Sequence, residues 1–208
     1  MANAFTDLVT VAIGHADKIA LVCGGAFALT QYWRQNHWQR KQFAAEQERL
    51  FRNNPHVVTI VGILNWGELE APLRPEFLEA DPARGVQRVS RKELLAALTS
   101  YDRSRRPTAD QERLLQSFHS FLLELALLQK HLESGLVDED DYRLYFRYEC
   151  GLVCGGEIVE ARRAAKDAAA EQRELQLAMM NYLRKWNYSY TLAFIARWYP
   201  EARAASAP

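Results

Sequence analysis

The stretch LLQSFHSFLLELALLQKHL, residues 114–132, decides the fold class of this 208-residue chain. Its large apolar side chains recur at alternating intervals of four and three residues: Leu114, Phe118, Phe121, Leu125, Leu128 and Leu132. This period places them along one side of an α-helix, where a helical bundle buries them. A capping box from Thr108 to Gln111 predicts where the helix begins, and Gly135 predicts where it ends.

Capping signals predict further helices on both sides of this one. Asn54 is a plausible N-cap and Pro55 fits a first helical position, so these signals favour a helix through VVTIVGILNW. A strand is the alternative, because the segment is rich in β-branched residues. Ser90 to Glu93 is a second capping box. Acidic residues 138–141 precede an aromatic-rich helix that ends at glycines 155 and 156. A long helix over 157–186, with an apolar side that includes Trp186, and a final helix over about 188–199 follow.

These elements together predict an all-α fold in which short connections join antiparallel neighbours. Residues 70–89 interrupt the helical pattern, because they contain three of the seven prolines and a glycine. "DPARG", between EFLE and VQRV, predicts either a small hairpin or an ordered loop, and both alternatives stay open.

The overall charge is balanced, with 26 basic and 26 acidic residues. A nucleic-acid partner is therefore not expected, and any electrostatic argument must rest on local asymmetry. Three cysteines are an odd number, which is not typical of a disulfide framework and fits a reducing compartment.

The segment ALVCGGAFALTQYWRQNHWQRKQF, residues 20–43, changes from apolar to basic halfway along. Its uncharged run extends from Ile19 to Trp33, 15 residues, which is short for a bilayer core of about 30 Å. Three interpretations remain open. Residues 17–34 span a membrane, a longer tilted helix from Phe5 spans it, or the segment is a buried helix of a soluble bundle.

Basic residues follow the apolar run, whereas Lys18 alone precedes it. By the positive-inside rule we expect a bacterial inner-membrane protein with a short N-terminus outside and everything after Trp33 in the cytoplasm. The predicted membrane-interface residues are Tyr32, Trp33, Arg34, Trp38, Arg40 and Lys41. Aromatic side chains suit the headgroup region, and basic ones are attracted to anionic lipid.

This pattern predicts four segments: a transmembrane helix over residues 1–34, a juxtamembrane helical stalk over 35–54, a cytoplasmic helical domain over 55–200 and a frayed tail over 201–208. We expect the anchor helix to continue into the stalk without a break.

No catalytic constellation is visible, so an enzyme is not expected, and neither are a cofactor or a metal. Cys150 and Cys154 lie four residues apart on one helical face, but a metal site needs further ligands. The acidic residues 138–141 lack the glycine and the alternation of a calcium-binding loop. Two buried thiols and a helix N-cap are the simpler interpretations.

The passages QYWRQNHWQRKQF…FRNNPHVVTIVGILNWGE and FHSFLLELALLQKHLESGLVDEDDYRLYFRYECGLV resemble a broad group of uncharacterised bacterial single-span, membrane-anchored helical proteins. Leu64 and Trp66 match the L-x-W helix of that group, and residues 121–148 match its helix–GLV–acidic–aromatic passage. The resemblance implies an N-terminal span, a stalk and a cytoplasmic helical domain, and it brings no catalytic residues.

The leading functional hypothesis is a membrane-anchored helical binding, regulatory or scaffold protein. Its expected partners are the lipid bilayer and a protein partner or a second copy of the chain. The alternative is a helical accessory subunit of a larger complex, with residues 5–33 buried against a partner protein.

Overall fold

A computed structural model describes the backbone of residues 2–72, 86–100, 107–155 and 166–204, and the side chains of residues 21–68, 89–100, 107–155 and 170–202. Within these ranges the chain is helical apart from one pair of short strands, so the predicted all-α class is confirmed. The elements in chain order are α1 (Ala2–Asn53), α2 (Pro55–Trp66), β1 (Glu68–Pro72), β2 (Val86–Ser90), α3 (Arg91–Ser100), α4 (Ala109–Glu133), α5 (Glu139–Cys154), α6 (Lys166–Lys185), α7 (Ser189–Ala196) and α8 (Glu201–Ala204).

The chain divides into two compact units, Met1–Gln42 and Phe43–Pro208. The first unit is formed by the N-terminal part of α1, a single helix of 52 residues. The predicted continuation of the apolar helix into the stalk segment is therefore confirmed. The boundary at Gln42 falls inside the segment predicted as the stalk.

The predicted helix boundaries follow from local hydrogen bonds. Asn54 accepts a hydrogen bond from the His56 amide (3.0 Å), and Pro55 occupies the first position of α2. Thr108 and Gln111 form the predicted reciprocal capping box of α4. Gly135 has a φ of 70°, a conformation that favours glycine and redirects the chain after α4.

The predicted apolar side of α4 forms the centre of the second unit. Phe118, Phe121 and Leu125 are completely buried, and α4 packs against α2, α3 and α7. The last turns of α1 contribute Phe51, whose ring lies 6.0 Å from that of Phe121 and 5.2 Å from that of Phe146 on α5. Interlocked aromatic rings thus join three helices.

Two strands pair where the sequence predicts either a small hairpin or an ordered loop, but the first of these strands is one that the sequence does not single out. Glu68 pairs with Ser90 and Pro72 with Val86 in an antiparallel register. The predicted second strand is confirmed. The predicted first strand, residues 76–79, and the DPARG turn lie outside the described residues.

The prediction of a frayed tail over residues 201–208 was wrong for its first half, because Glu201–Ala204 is a short helix. Ala202 is buried in it and donates its amide proton to the Tyr199 carbonyl (2.9 Å), which explains the order. Residues 205–208 lie outside the described residues. Trp186 follows α6, which ends at Lys185, and is partly exposed, but its ring lies 6.1 Å from that of Tyr182, on the predicted apolar side.

The predicted transmembrane helix is not supported. In the part of the chain that the structure describes, no helix combines the length and the apolar character needed to cross a membrane. The uncharged run is 15 residues long and includes polar side chains such as Gln31, whereas a span needs about 20 mostly apolar residues.

Candidate functional site

The predicted membrane-interface residues all lie on α1 in the first unit. Tyr32, Trp33 and Trp38 expose most of their side chains, and Arg34 and Lys41 are also exposed, while Arg40 is half-buried. These six residues are distributed around the helix and do not converge on one point. They form a collar of aromatic and basic side chains after the apolar run.

The apolar run of α1 is exposed on several sides of the helix. Its large side chains are between 61% and 80% exposed: Leu21, Val22, Phe27, Leu29, Tyr32 and Trp33. The only hydroxyl among residues 21–31, that of Thr30, donates to the Ala26 carbonyl within the helix (2.8 Å). An uncovered helix that is apolar on most sides is unusual in water and is typical of a helix with an apolar surrounding.

The second unit contains an apolar cleft with a cavity volume of about 320 Å³. The last turn of α1, one side of α2 and a single residue of α5 line it: Phe51, Arg52, Val57, Val58, Val61, Gly62, Asn65, Trp66 and Glu149. Trp66 is 74% exposed, and Val58 is also exposed. Cavities of this size accommodate a small organic molecule.

Glu149 is the charged group of the cleft that lies deepest, with 1% of its side chain exposed. Its Oε1 atom lies 3.2 Å from Arg52 Nη1. Its Oε2 atom is also buried, yet it accepts no hydrogen bond from any described residue. Burial raises the pKa of Glu149, and two interactions oppose this effect: a hydrogen bond from its own backbone amide and the nearby guanidinium of Arg52.

Arg52 is shared between two carboxylates. Besides Glu149 it contacts Glu48 one turn earlier on α1, with a distance of 2.5 Å from Nε to Oε1. When both carboxylates are ionised, two negative charges face one positive charge, so one negative charge in the trio is not compensated. Glu48 accordingly contributes to the raised pKa of Glu149.

Hydrogen bonds to α2 fix the shape of the cleft. Tyr148 on α5 donates its hydroxyl proton to Asn65 Oδ1. Arg91 on α3 donates to the Leu64 carbonyl (2.7 Å) at the C-terminal end of α2, where a cation is favourable. The cleft wall formed by α2 is therefore held by hydrogen bonds from two other helices.

The other cysteine, metal-ligand and cavity candidates are weaker functional sites than this cleft. Cys150 is buried, and burial raises the pKa of its thiol, so the reactive thiolate is disfavoured. Among the described residues no three His, Cys, Asp or Glu side chains are grouped as a metal site would require. A cavity of about 260 Å³ between α3 and α6 has Glu174 and Lys185 in its lining, and both are exposed to solvent.

Sequence reasoning missed the Arg52–Glu149 pair, although one signal was present. Tyr142, Phe146 and Val153 are buried on one side of α5, and Glu149 falls at the same helical period. A carboxylate at a core position of an amphipathic helix needs a partner, and this identifies it as a candidate. That partner is distant in the sequence and could not be named from it.

Neither a protein-family model nor a curated protein nor a solved structure matches this chain. The resemblance to single-span, membrane-anchored helical proteins therefore stays a prediction.

Proposed function

We propose that this chain is a membrane-anchored helical binding protein of regulatory or scaffold type at a bacterial inner membrane. In this proposal residues 1–34 hold it in the bilayer, and the second unit binds a ligand or partner. The observation that carries the proposal is the exposed apolar run of α1, whose side chains from Leu21 to Trp33 are uncovered.

Exposed apolar surface of this extent is unfavourable in water, since its burial contributes about 25 cal/mol per Å². A bilayer covers a helix from all sides, which matches the distribution of these side chains around α1. The internal hydrogen bond of Thr30 supports the proposal, because a hydroxyl satisfied within the helix enters hydrocarbon at low cost.

The collar after the run supports one orientation. Tyr32, Trp33 and Trp38 suit a membrane–water interface, and Arg34, Arg40 and Lys41 favour the cytoplasmic side. The N-terminus is then outside and the second unit is in the cytoplasm. A reporter that is active only in the cytoplasm should work when it is fused after Pro208, and one that is active only in the periplasm should not.

Alkaline carbonate extraction of bacterial membranes tests the anchor. We expect the full chain to stay in the membrane pellet, and the double variant Phe27→Asp/Leu29→Asp to move to the supernatant. Each aspartate at the centre of a span costs about 3 kcal/mol of insertion free energy. The matched control is Leu123→Asp/Leu144→Asp, which places the same charges at exposed leucines of the second unit and should stay in the pellet.

A helical accessory subunit, with residues 5–33 buried against a partner protein, is the second candidate. Gly24 and Gly25 favour it, because an added Cβ at either position would meet no described atom within 4 Å, so another helix has room to approach closely. In that case carbonate would release the wild-type chain, and a partner protein would co-purify with it but not with the Phe27→Asp/Leu29→Asp variant.

A further inference from the structure

The cleft lined by Trp66 and Glu149 contains a buried carboxylate oxygen that lacks a hydrogen-bond donor in the described part of the chain. Glu149 is a buried lining residue of an otherwise largely apolar cavity, and its Oε2 atom accepts no hydrogen bond from the described residues. A buried acceptor without a partner costs about 1–3 kcal/mol, and more when it is charged, so native structures usually satisfy it. A ligand group that enters the cleft and donates a hydrogen bond to Oε2 would satisfy this acceptor.

The charge of the site indicates which kind of donor fits. Among the residues that the structure describes, Arg52 is the cation that faces both Glu48 and Glu149, at 2.5 Å and 3.2 Å. One more positive charge at Oε2 would balance the two carboxylates. An anion would instead meet a buried carboxylate whose desolvation is already unfavourable.

The apolar and aromatic residues of the cleft indicate the size and polarity of the rest of the ligand. Val57, Val58 and Val61 give the cleft an apolar side, which suits a hydrocarbon or aromatic body. Trp66 is largely exposed at this site, and an indole ring attracts cations through its face. A volume of about 320 Å³ limits the ligand to a small molecule.

We propose that this cleft binds a small organic cation, an apolar body that carries a protonated amine, with the nitrogen donating to Glu149 Oε2 and the body packed against α2. The proposal concerns the second unit alone. It stands or falls independently of the membrane anchor, because none of the lining residues belongs to Met1–Gln42.

Three probes of similar size and different charge test it: 2-phenylethylammonium, neutral 2-phenylethanol and anionic 3-phenylpropanoate. Their binding to the full chain is measured by titration calorimetry at neutral pH in a nonionic detergent. We expect saturable binding of the cation, weaker binding of the alcohol and no binding of the anion.

Glu149→Gln keeps the shape of the side chain and removes its charge. A hydrogen bond to a charged group is strong enough that this variant should bind the cation about 10- to 100-fold more weakly. The matched control is Glu139→Gln on the same helix, a surface carboxylate paired with Arg197 at 3.1 Å, and it should bind like the wild type.

Trp66→Ala provides a second variant that does not touch the core. Loss of an exposed cation–π contact should weaken binding about two- to fivefold. The proposal is overturned if no probe binds saturably, if the anion binds more tightly than the cation, or if Glu149→Gln and Glu139→Gln bind the cation equally. A cooperative melt of each variant establishes that it is folded.

Discussion

Removal of Arg52 should destabilise the second unit far more than removal of its partner Glu149. The two side chains are in unequal surroundings, because Glu149 is 1% exposed and Arg52 is 51% exposed. Arg52→Met leaves a buried carboxylate with no cation, whereas Glu149→Gln leaves an arginine that still contacts Glu48 and water. The two substitutions therefore differ in which charge they leave unpaired.

The size of the effect follows from this burial. Removing one partner of a buried ion pair lowers the free energy of unfolding by about 3–5 kcal/mol. Because Arg52 is half-exposed and partly screened by solvent, we expect a loss of about 2–3 kcal/mol for Arg52→Met. For a chain of this length, that lowers the melting temperature by about 5–10 °C. Glu149→Gln should change it little, and the double variant should recover most of the loss.

The effect of Arg52→Met should depend on pH in a defined direction. Because burial raises the pKa of Glu149, the folded protein keeps this proton after the unfolded chain has lost it. The contribution of Glu149 to stability therefore falls as pH rises above the ordinary value of 4.5 and levels off above the folded pKa. Without Arg52 the folded pKa rises further, so the loss should be small near pH 4 and larger at pH 8.

Thermal melts of the four proteins at both pH values measure these differences. Equal destabilisation by Arg52→Met and Glu149→Gln at pH 8 would refute the reasoning, because it would mean that the pair contributes as a symmetric unit. An Arg52→Met loss that does not change with pH would refute the assignment of a buried titrating carboxylate.

Two further predictions concern the helical unit. Residues 40–208 should fold without the N-terminal segment and melt cooperatively. Phe121→Asp in the same fragment should abolish the melt, because it places a charge among completely buried rings. A cooperative melt of both fragments would contradict this prediction. Thr108→Ala should lower the free energy of unfolding by about 1 kcal/mol through loss of the α4 cap. Thr99→Ala is its control, because the exposed Thr99 hydroxyl bonds back to the Leu95 and Ala96 carbonyls within α3 (2.8 and 3.3 Å) and caps no helix. An equal loss there would contradict the capping argument.

The sequence predicts those parts of the fold that local rules determine. Helix starts and ends are determined by contacts within a few residues, so the sequence alone predicts them. The examples are Asn54 with Pro55, Thr108 with Gln111, and Gly135. The strand Glu68–Pro72 was missed because its paired residues lie 14 to 22 positions further along the chain, and its own pattern does not distinguish it from a loop.

The cleft was not predictable for a related reason. It depends on Arg52 and Glu149 meeting across two helices, and only tertiary packing brings them together. The exposed run of α1 was recognisable as apolar, but what covers it depends on the surroundings of the chain and not on its internal contacts.

The most direct test of the proposed membrane anchor uses Cys23, an exposed thiol in the apolar run. In a Cys154→Ser background the other cysteine, Cys150, is buried, so an environment-sensitive nitrobenzoxadiazole dye attaches to Cys23. A control protein carries Cys23→Ser and Leu144→Cys, which moves the dye to the exposed surface of α5. We predict that in lipid vesicles the dye at position 23 shifts to shorter wavelength and is quenched by nitroxide-labelled acyl chains but not by aqueous iodide, while the dye at position 144 does the reverse. Iodide quenching at position 23 equal to that at position 144 would contradict the account.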